Sequence, residues 1–328
     1  MAPPDDTLAL PPARLGRLLP MRYHDVPAGG DLPPFVRAAS SVRRWQGRLV
    51  VVQDDVNALA LVDEATALAS PLLLPPGPGG RRQFSPDLGN KAHKLDLEAS
   101  IVLPDGRFVA FGSGSTGERE RLVVLRDDLS PTLRTAAPLY RRLREEASFC
   151  GSELNVEGAL VAGRRLLLFQ RGNGAASAEA PAVNAVGTLE LQAFLAWLDE
   201  GAPAPRLSEV TRVDLGALRG VPLGFTDATS LPDGRVVVLA SAEDSPDTFR
   251  DGEVLGTRLG FLGERGQVFL GDILEEDGRP TAHKLEGIEF IGAHGDGALE
   301  FLVVVDTDDP DRPSMLGRLQ LPAPASRR

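Results

Sequence analysis

The chain has 328 residues, of which 35 are basic and 46 acidic, and its formal net charge at pH 7 is −11. Because it has no run of basic residues, attraction to nucleic acids or anionic membranes is weak, and we expect neither as a partner. The one cysteine, Cys150, excludes an intrachain disulfide and a paired-thiol metal site. The sequence shows neither the apolar stretch of a signal peptide nor that of a membrane span. We expect a soluble, cytoplasmic monomer, with export of an unbridged protein as the alternative.

Short apolar runs rich in β-branched residues follow one another along the chain, and each is bounded by glycine, aspartate or proline. The 35 glycines and 27 prolines are spread throughout instead of forming one linker. Such runs between turn residues are typical of β-strands. Clear examples lie at residues 49–52, 122–125, 236–239 and 301–305.

A pattern of an acidic residue, a small residue, an apolar stretch, a turn and an apolar strand recurs at intervals of about sixty residues. A unit of this length that holds four strands is typical of a β-propeller blade. We therefore predict an all-β fold, a single β-propeller domain over residues 1–328 with five blades, six being the alternative. The acidic positions are Glu98, Glu157, Asp227 and Glu286, and Ser40 or Ser41 holds the position in a weaker first copy.

Both ends of the chain contain strand-like pieces, at residues 7–10 or 14–19 and at 316–321. We expect the N- and C-terminal strands to share one blade and to close the ring. The longest interval between repeats contains an amphipathic stretch, which predicts a short helical insertion near residues 191–200.

In a propeller, the residues that open the innermost strand of each blade meet at one mouth of the channel. Glu98, Glu157, Asp227 and Glu286 are therefore predicted to form a ring. Four carboxylates in low dielectric repel one another, so the ring needs protons, basic partners or a cation. A divalent cation such as Ca²⁺, which takes 6–8 oxygen ligands, suits these residues. The alternative is that they cap backbone groups without a metal.

Polar loops follow the second strand of each unit and return to the same mouth. Glu243 or Asp54 is a candidate general base there. Lys94 and Lys284 lie in two Ala-His-Lys-Leu repeats before ring acids, and each can neutralise the carboxylates or bind an anionic group. The candidate residues for binding a small anionic substrate are Arg171, Lys94, Lys284, Ser113, Ser115 and Asn173.

The same segments resemble bacterial β-propeller proteins of unknown function related to the "esterase-like activity of phytase" family. The resemblance spans most of the chain. The sequence departs from the family's pattern at Ser40 and Ser41, where an acid and a glycine are expected. The resemblance implies a propeller with an acidic, cation-binding mouth and hydrolysis of a phosphoester or carboxylic ester. The segments that carry it are 94–99, 112–115, 154–158, 169–173, 225–228, 242–244 and 284–287.

Two functions are compatible with these residues. The first is a metal-dependent hydrolase that acts on an anionic ester or phosphoester at the channel mouth, with Ca²⁺ or a similar ion as cofactor. The second is a non-catalytic propeller that binds a ligand or protein and uses the cation only as a structural element.

Overall fold

The computed structural model describes residues 10–26, 31–175, 180–244 and 252–323. Within these ranges the protein is mostly β. The first seven strands are β1 (Ala13–Leu15), β2 (Leu19–Pro20), β3 (Arg22–Tyr23), β4 (Ala39–Trp45), β5 (Arg48–Gln53), β6 (Ala58–Val62) and β7 (Leu68–Leu73). The next eight are β8 (Leu97–Val102), β9 (Phe108–Gly112), β10 (Arg121–Leu125), β11 (Pro131–Thr135), β12 (Val156–Ala162), β13 (Arg165–Gln170), β14 (Ala185–Glu190) and β15 (Glu209–Arg212). The last eight are β16 (Ala217–Leu218), β17 (Val221–Ser230), β18 (Val236–Asp244), β19 (Glu253–Leu262), β20 (Val268–Leu274), β21 (Lys284–Ala293), β22 (Leu299–Asp306) and β23 (Met315–Leu321).

Antiparallel meanders of four strands make up most of the sheets. Strands β4 to β7, β8 to β11, β12 to β15 and β17 to β20 each pair in chain order, and β3 adds to β7 in parallel. The last group consists of β21, β22 and β23 together with β1 from the N-terminal part, which pairs antiparallel with β23. Because β1 also pairs in parallel with β20, the last two groups form one ten-stranded sheet. Of the predicted N-terminal strands, residues 7–9 lie outside the described ranges.

The first strands of the five groups contact one another in chain order: β4 contacts β8, β8 contacts β12, β12 contacts β17, β17 contacts β21, and β21 contacts β4. Apolar cores fill the space between successive groups. Trp45 and Leu59 of the first group pack with Phe108 and Val123 of the second, for example. Alternate side chains of each strand face opposite sides of a sheet. A sheet whose two faces are both apolar therefore packs between two neighbouring sheets.

Every first strand contains a bulge at the same place, where the pairing register with the second strand shifts by one residue. A bulge inserts an extra residue and redirects its side chain. In the fourth group the extra residue is Thr226, so Asp227 lies one position beyond the equivalent of Glu98. The bulged residues are Ser40, Glu98, Glu157, Thr226 and Glu286.

Three short α-helices lie between strands in the part of the chain that the structure describes: α1 (Ala137–Glu145), α2 (Ala147–Cys150) and α3 (Leu191–Glu200). Helix α3 occupies the position of the predicted insertion and buries Phe194 and Leu198. Helices α1 and α2, which connect β11 to β12, were not expected. No helix in the described ranges is long and apolar enough to cross a membrane.

Candidate functional site

Carboxylates and a smaller number of cations gather where the bulges of the first strands lie. We call this group the acidic mouth. Among the described residues, eight carboxylates face four cations here, so their negative charge is in excess unless protons or another cation bind. The carboxylates are those of Asp54, Asp96, Glu98, Glu157, Glu243, Glu286, Asp306 and Asp308, and the cations are Lys94, Arg119, Arg171 and Lys284.

Asp54, Asp96 and Glu98 each offer one carboxylate oxygen, and the three oxygens lie within 4.8 Å of one another. Asp54 follows strand β5, whereas Asp96 and Glu98 flank the start of β8. The backbone joins the two aspartates, because the Asp96 amide donates to the Asp54 carbonyl over 3.2 Å. Three carboxylate oxygens at this separation can provide part of the coordination shell of a hard divalent cation.

Asp96 has φ 54°, in the left-handed region that residues other than glycine rarely adopt. Its carbonyl accepts a hydrogen bond of 2.8 Å from the Ser113 amide, so the strained backbone is fixed on both sides. Such strain persists only where neighbouring structure holds it, and it is concentrated at functional sites.

Basic and hydroxyl groups surround the Asp96 carboxylate. Lys94 Nζ lies 2.6 Å from Asp96 Oδ1 and 2.7 Å from Asp54 Oδ2. Arg119 Nη1 lies 2.9 Å from Asp96 Oδ2, to which the Ser113 hydroxyl also donates a hydrogen bond. Ser115 Oγ accepts from Arg119 at 2.7 Å. These contacts, and the field of Lys94 above all, outweigh burial and lower the pKa of Asp96.

Glu98 differs from both aspartates, because among the described residues nothing hydrogen-bonds or ion-pairs with its half-buried carboxylate. Burial, and then the charges of Glu157 and Asp96, raise the pKa of Glu98 well above its ordinary value. An ionised Glu98 therefore requires a positive charge that the described side chains do not supply directly.

The other half of the acidic mouth is centred on Lys284 and Arg171. Lys284 Nζ lies 3.0 Å from Glu286 Oε1 and 3.4 Å from Glu243 Oε2, and Arg171 Nη2 lies 2.9 Å from the same Glu243 oxygen. Burial opposes the Glu243 charge, but these two cations and the Gly252 amide outweigh it and lower the pKa of Glu243 to about 2. Glu243 is therefore a poor general base at neutral pH, although the sequence predicts it as one.

Two glutamates in this half retain protons more readily. Burial, with the charge of Glu286, raises the pKa of Glu157 to about 8, even though Arg171 Nη1 lies 3.5 Å from Glu157 Oε1. Glu286 is 4% exposed, and its Oε2 atom has no hydrogen-bond partner among the residues that the structure describes. Burial also raises the pKa of Glu286, although Lys284 opposes it. Glu157 can therefore gain or lose a proton near neutral pH.

Asp227 lies elsewhere, in contrast to the prediction that it joins the glutamates around one metal. It is fully buried at the centre of the five first strands, where Arg43 Nη2 lies 2.8 Å from Oδ1 and Arg43 Nη1 lies 2.9 Å from Oδ2. The Ile288 amide also donates to Oδ2, at 3.0 Å. Because both oxygens are engaged by donors, Asp227 is not available as a metal ligand. The one-residue displacement from the bulge explains the error.

The residues predicted to bind an anionic substrate are all engaged within the protein. Lys94, Lys284 and Arg171 pair with the carboxylates given above. Asn173 Oδ1 accepts a hydrogen bond of 3.1 Å from Asn155 Nδ2. Ser113 and Ser115 hydrogen-bond to each other at 2.9 Å. An anion at this place therefore needs a further positive charge, such as a bound cation.

Several residues of the acidic mouth were not predicted. Asp96 stands two residues before Glu98, and two acids this close together before an apolar run are a signal that the sequence did contain. Asp306 and Asp308 repeat this spacing at the end of β22. No local pattern distinguishes Arg119, because its position depends on the loop between β9 and β10.

A family model described as "Family of unknown function (DUF6929)" matches residues 35–321. No curated protein sequence matches the chain. The glutaminyl cyclase of Myxococcus xanthus is 12% identical, with 95% of this chain and 100% of that one covered and a TM-score of 0.47. An endo-1,5-alpha-L-arabinanase from Thermotoga petrophila is 10% identical, with 87% and 71% covered and a TM-score of 0.45. A streptogramin B lyase is 11% identical, with 88% and 95% covered and a TM-score of 0.35. Superpositions this loose assign no activity.

Proposed function

The chain belongs to the DUF6929 family, a family of unknown function, and we propose from its geometry that it is a five-bladed β-propeller that binds a divalent cation at the acidic mouth. Support for five blades comes from the five four-stranded groups and from the contacts of their first strands, which run from β4 through to β21 and return to β4. The pairing of β1 with β23 supports closure by both termini.

The Arg43 guanidinium also supports this architecture, because it hydrogen-bonds to the first strand of each of the five groups. A side chain can reach five strands at once only if they surround it. The carbonyl acceptors are those of Val42, Ser100, Ala159, Ala228 and Ile288, at 2.7 to 3.1 Å.

The observation that carries the cation proposal is the group formed by Asp54, Asp96 and Glu98. All its donors are carboxylate oxygens, which Ca²⁺ prefers, and Glu98 has no partner in the described part of the chain. The raised pKa values of Glu98 and Glu157 have the same origin, because too many buried carboxylates share too few cations.

We propose that the activity at this mouth is hydrolysis of a small anionic ester or phosphoester. A divalent cation there supplies Lewis-acid polarisation of an ester or phosphoryl oxygen. Glu157, with a pKa of about 8, is the candidate general acid or base in place of Glu243. Lys94, Lys284 and Arg171 supply positive charge around the anion. The relation to the "esterase-like activity of phytase" family remains part of this proposal.

A non-catalytic binding propeller is the second candidate, and one observation favours it. Lys94, Lys284 and Arg171, the basic side chains predicted to bind the substrate, already pair with carboxylates. This arrangement is expected if the divalent cation has only a structural role at the mouth. In that case a ligand or partner protein binds on the polar face, and no turnover occurs.

The first experiment compares thermal melting of the wild type and of Glu98→Gln with EDTA and with Ca²⁺. We expect Ca²⁺ to raise the melting temperature of the wild type but not that of the variant, because binding to the folded state alone stabilises it. An unchanged wild-type melting temperature would contradict the cation proposal. Turnover of aryl phosphates or aryl esters that EDTA abolishes would then favour hydrolysis over the binding function.

A further inference from the structure

Lys94 places an ammonium group between two of the three carboxylates of the proposed cation group. Its Nζ atom lies 2.7 Å from Asp54 Oδ2 and 2.6 Å from Asp96 Oδ1, and the side chain is 8% exposed. An ammonium is a compact charge that makes up to three hydrogen bonds. The third carboxylate, that of Glu98, receives none of them. The Lys94 ammonium thus contacts two of the three carboxylates that a metal would bind.

The Asp96 carboxylate is more firmly held than the Lys94 ammonium that it contacts. Asp96 is held by Arg119, by the Ser113 hydroxyl and by backbone hydrogen bonds to Asp54 and Ser113. Lys94 is attached through a long stem with four rotatable bonds, which starts at the end of the one-turn 3₁₀ helix Lys91–His93. The Asp96 carboxylate can therefore stay in place while the ammonium moves.

A divalent cation and the ammonium cannot share these oxygens without strong repulsion. Two positive charges a few ångströms apart repel by several kcal/mol at the effective dielectric of a partly buried site. Metal entry consequently requires that Lys94 leave Asp54 and Asp96.

We propose that Lys94 is a tethered competitor of the divalent cation, which holds the site closed until the metal displaces its ammonium. This inference rests on the proposed cation site and adds to it a residue that sets its affinity. In the empty state Lys94 stabilises the mouth. In the bound state its displaced ammonium is free to meet an anionic ligand.

The test is calorimetric titration of Ca²⁺ into the full chain as wild type, Lys94→Met and Lys284→Met. Lys284 is the matched control, because it is the other lysine of the mouth, with a side chain 11% exposed, but it pairs with Glu243, Glu286 and Asp308 instead. We expect Lys94→Met to bind Ca²⁺ at least about tenfold more tightly than the wild type, and Lys284→Met to change affinity by less than about threefold. A second variant, Lys94→Gln, retains a polar side chain if Lys94→Met folds poorly, and should show the same direction.

The outcomes separate this inference from the cation proposal. Equal affinities of the wild type and both Lys94 variants would overturn the role of Lys94 but leave the site intact. Binding to the Lys94 variants alone would support both. If none of the proteins binds Ca²⁺, the site and the competitor are both wrong. Tighter Ca²⁺ binding by Lys284→Met than by Lys94→Met would show that the loss of any positive charge at the mouth raises the affinity. This result would also overturn the inference.

Discussion

Buried charge is handled in two different ways along the same set of strands. At the centre, Arg43 and Asp227 meet in a bidentate ion pair, and the remaining guanidinium donors bond to strand carbonyls. At the acidic mouth, carboxylates outnumber cations and Glu98 has no partner among the described residues. The fully paired charge at the centre is a structural element, whereas the unbalanced group at the mouth is where we propose that a cation binds.

The largest expected effect tests the centre. Arg43→Met leaves a buried carboxylate at Asp227 and removes the hydrogen bonds to five strands, so we expect it to lower the free energy of unfolding by about 4 kcal/mol. Denaturant unfolding measures this loss. The double variant with Asp227→Leu should recover only part of the stability, because the carbonyls stay unpaired. A loss below about 1 kcal/mol for Arg43→Met would contradict the structural role of the pair.

The second prediction concerns a paired carboxylate of the mouth. The pKa of Glu243 falls from 4.5 to about 2 on folding, so its charge stabilises the protein above pH 4.5, and this stability is lost as the pH falls towards 2. Glu243→Gln should therefore cost about 3 kcal/mol at pH 7, and less at each step below pH 4.5. Unfolding curves from pH 7 to pH 3 check this. A cost that does not change with pH would contradict the ion pairs with Lys284 and Arg171.

Glu98 should behave in the opposite way. Its pKa is raised on folding, so its contribution to stability is complete below the unfolded value of 4.5 and declines as the pH rises towards the folded pKa. Glu98→Gln lacks this decline and should be more stable than the wild type at pH 7 without added cation, and equal to it near pH 4. A variant less stable than the wild type at pH 7 under EDTA would show that Glu98 is paired after all.

The sequence predicted much of the general plan. Its punctuated apolar runs led to a mostly β fold, which the structure confirms, and the acidic repeat led to Glu98, Glu157 and Glu286, which all lie at the mouth. It failed at Asp227, because the bulged residue of the fourth group is Thr226, and no sequence pattern shows that the acid there lies one position beyond the bulge. The lysines show the same limit. Lys94 stands four residues before its bulge and Lys284 only two, yet their near-identical sequence repeats made the positions look equivalent.

Other features depended on contacts between distant segments. Arg43 lies in an ordinary strand alternation, and its role arises only when five strands surround it. Helix α1 did carry a local signal, since Leu139 and Leu143 are spaced for one helical face after Pro138 at the start.

The smallest expected effect concerns how the mouth is packed. A side-chain carbon at Gly224 would lie 2.7 Å from Arg171 Cγ, so Gly224→Ala must displace the Arg171 stem. We expect a loss of about 1 kcal/mol in the free energy of unfolding, with Arg171 moved from Glu157 in a crystal structure. Gly292→Ala is the control, because nothing lies within 4 Å of the added carbon there. Equal effects of the two substitutions would indicate that Arg171 is not held by this contact.

The contrast between a paired centre and an unbalanced mouth is tested most directly by the structure of a crystal soaked in Ca²⁺. We expect one ion bound by an oxygen from each of Asp54, Asp96 and Glu98, at about 2.3–2.6 Å, with the Arg43 pair unchanged. A saturating soak that leaves these three carboxylates without an ion, or that places the ion elsewhere, would contradict this expectation.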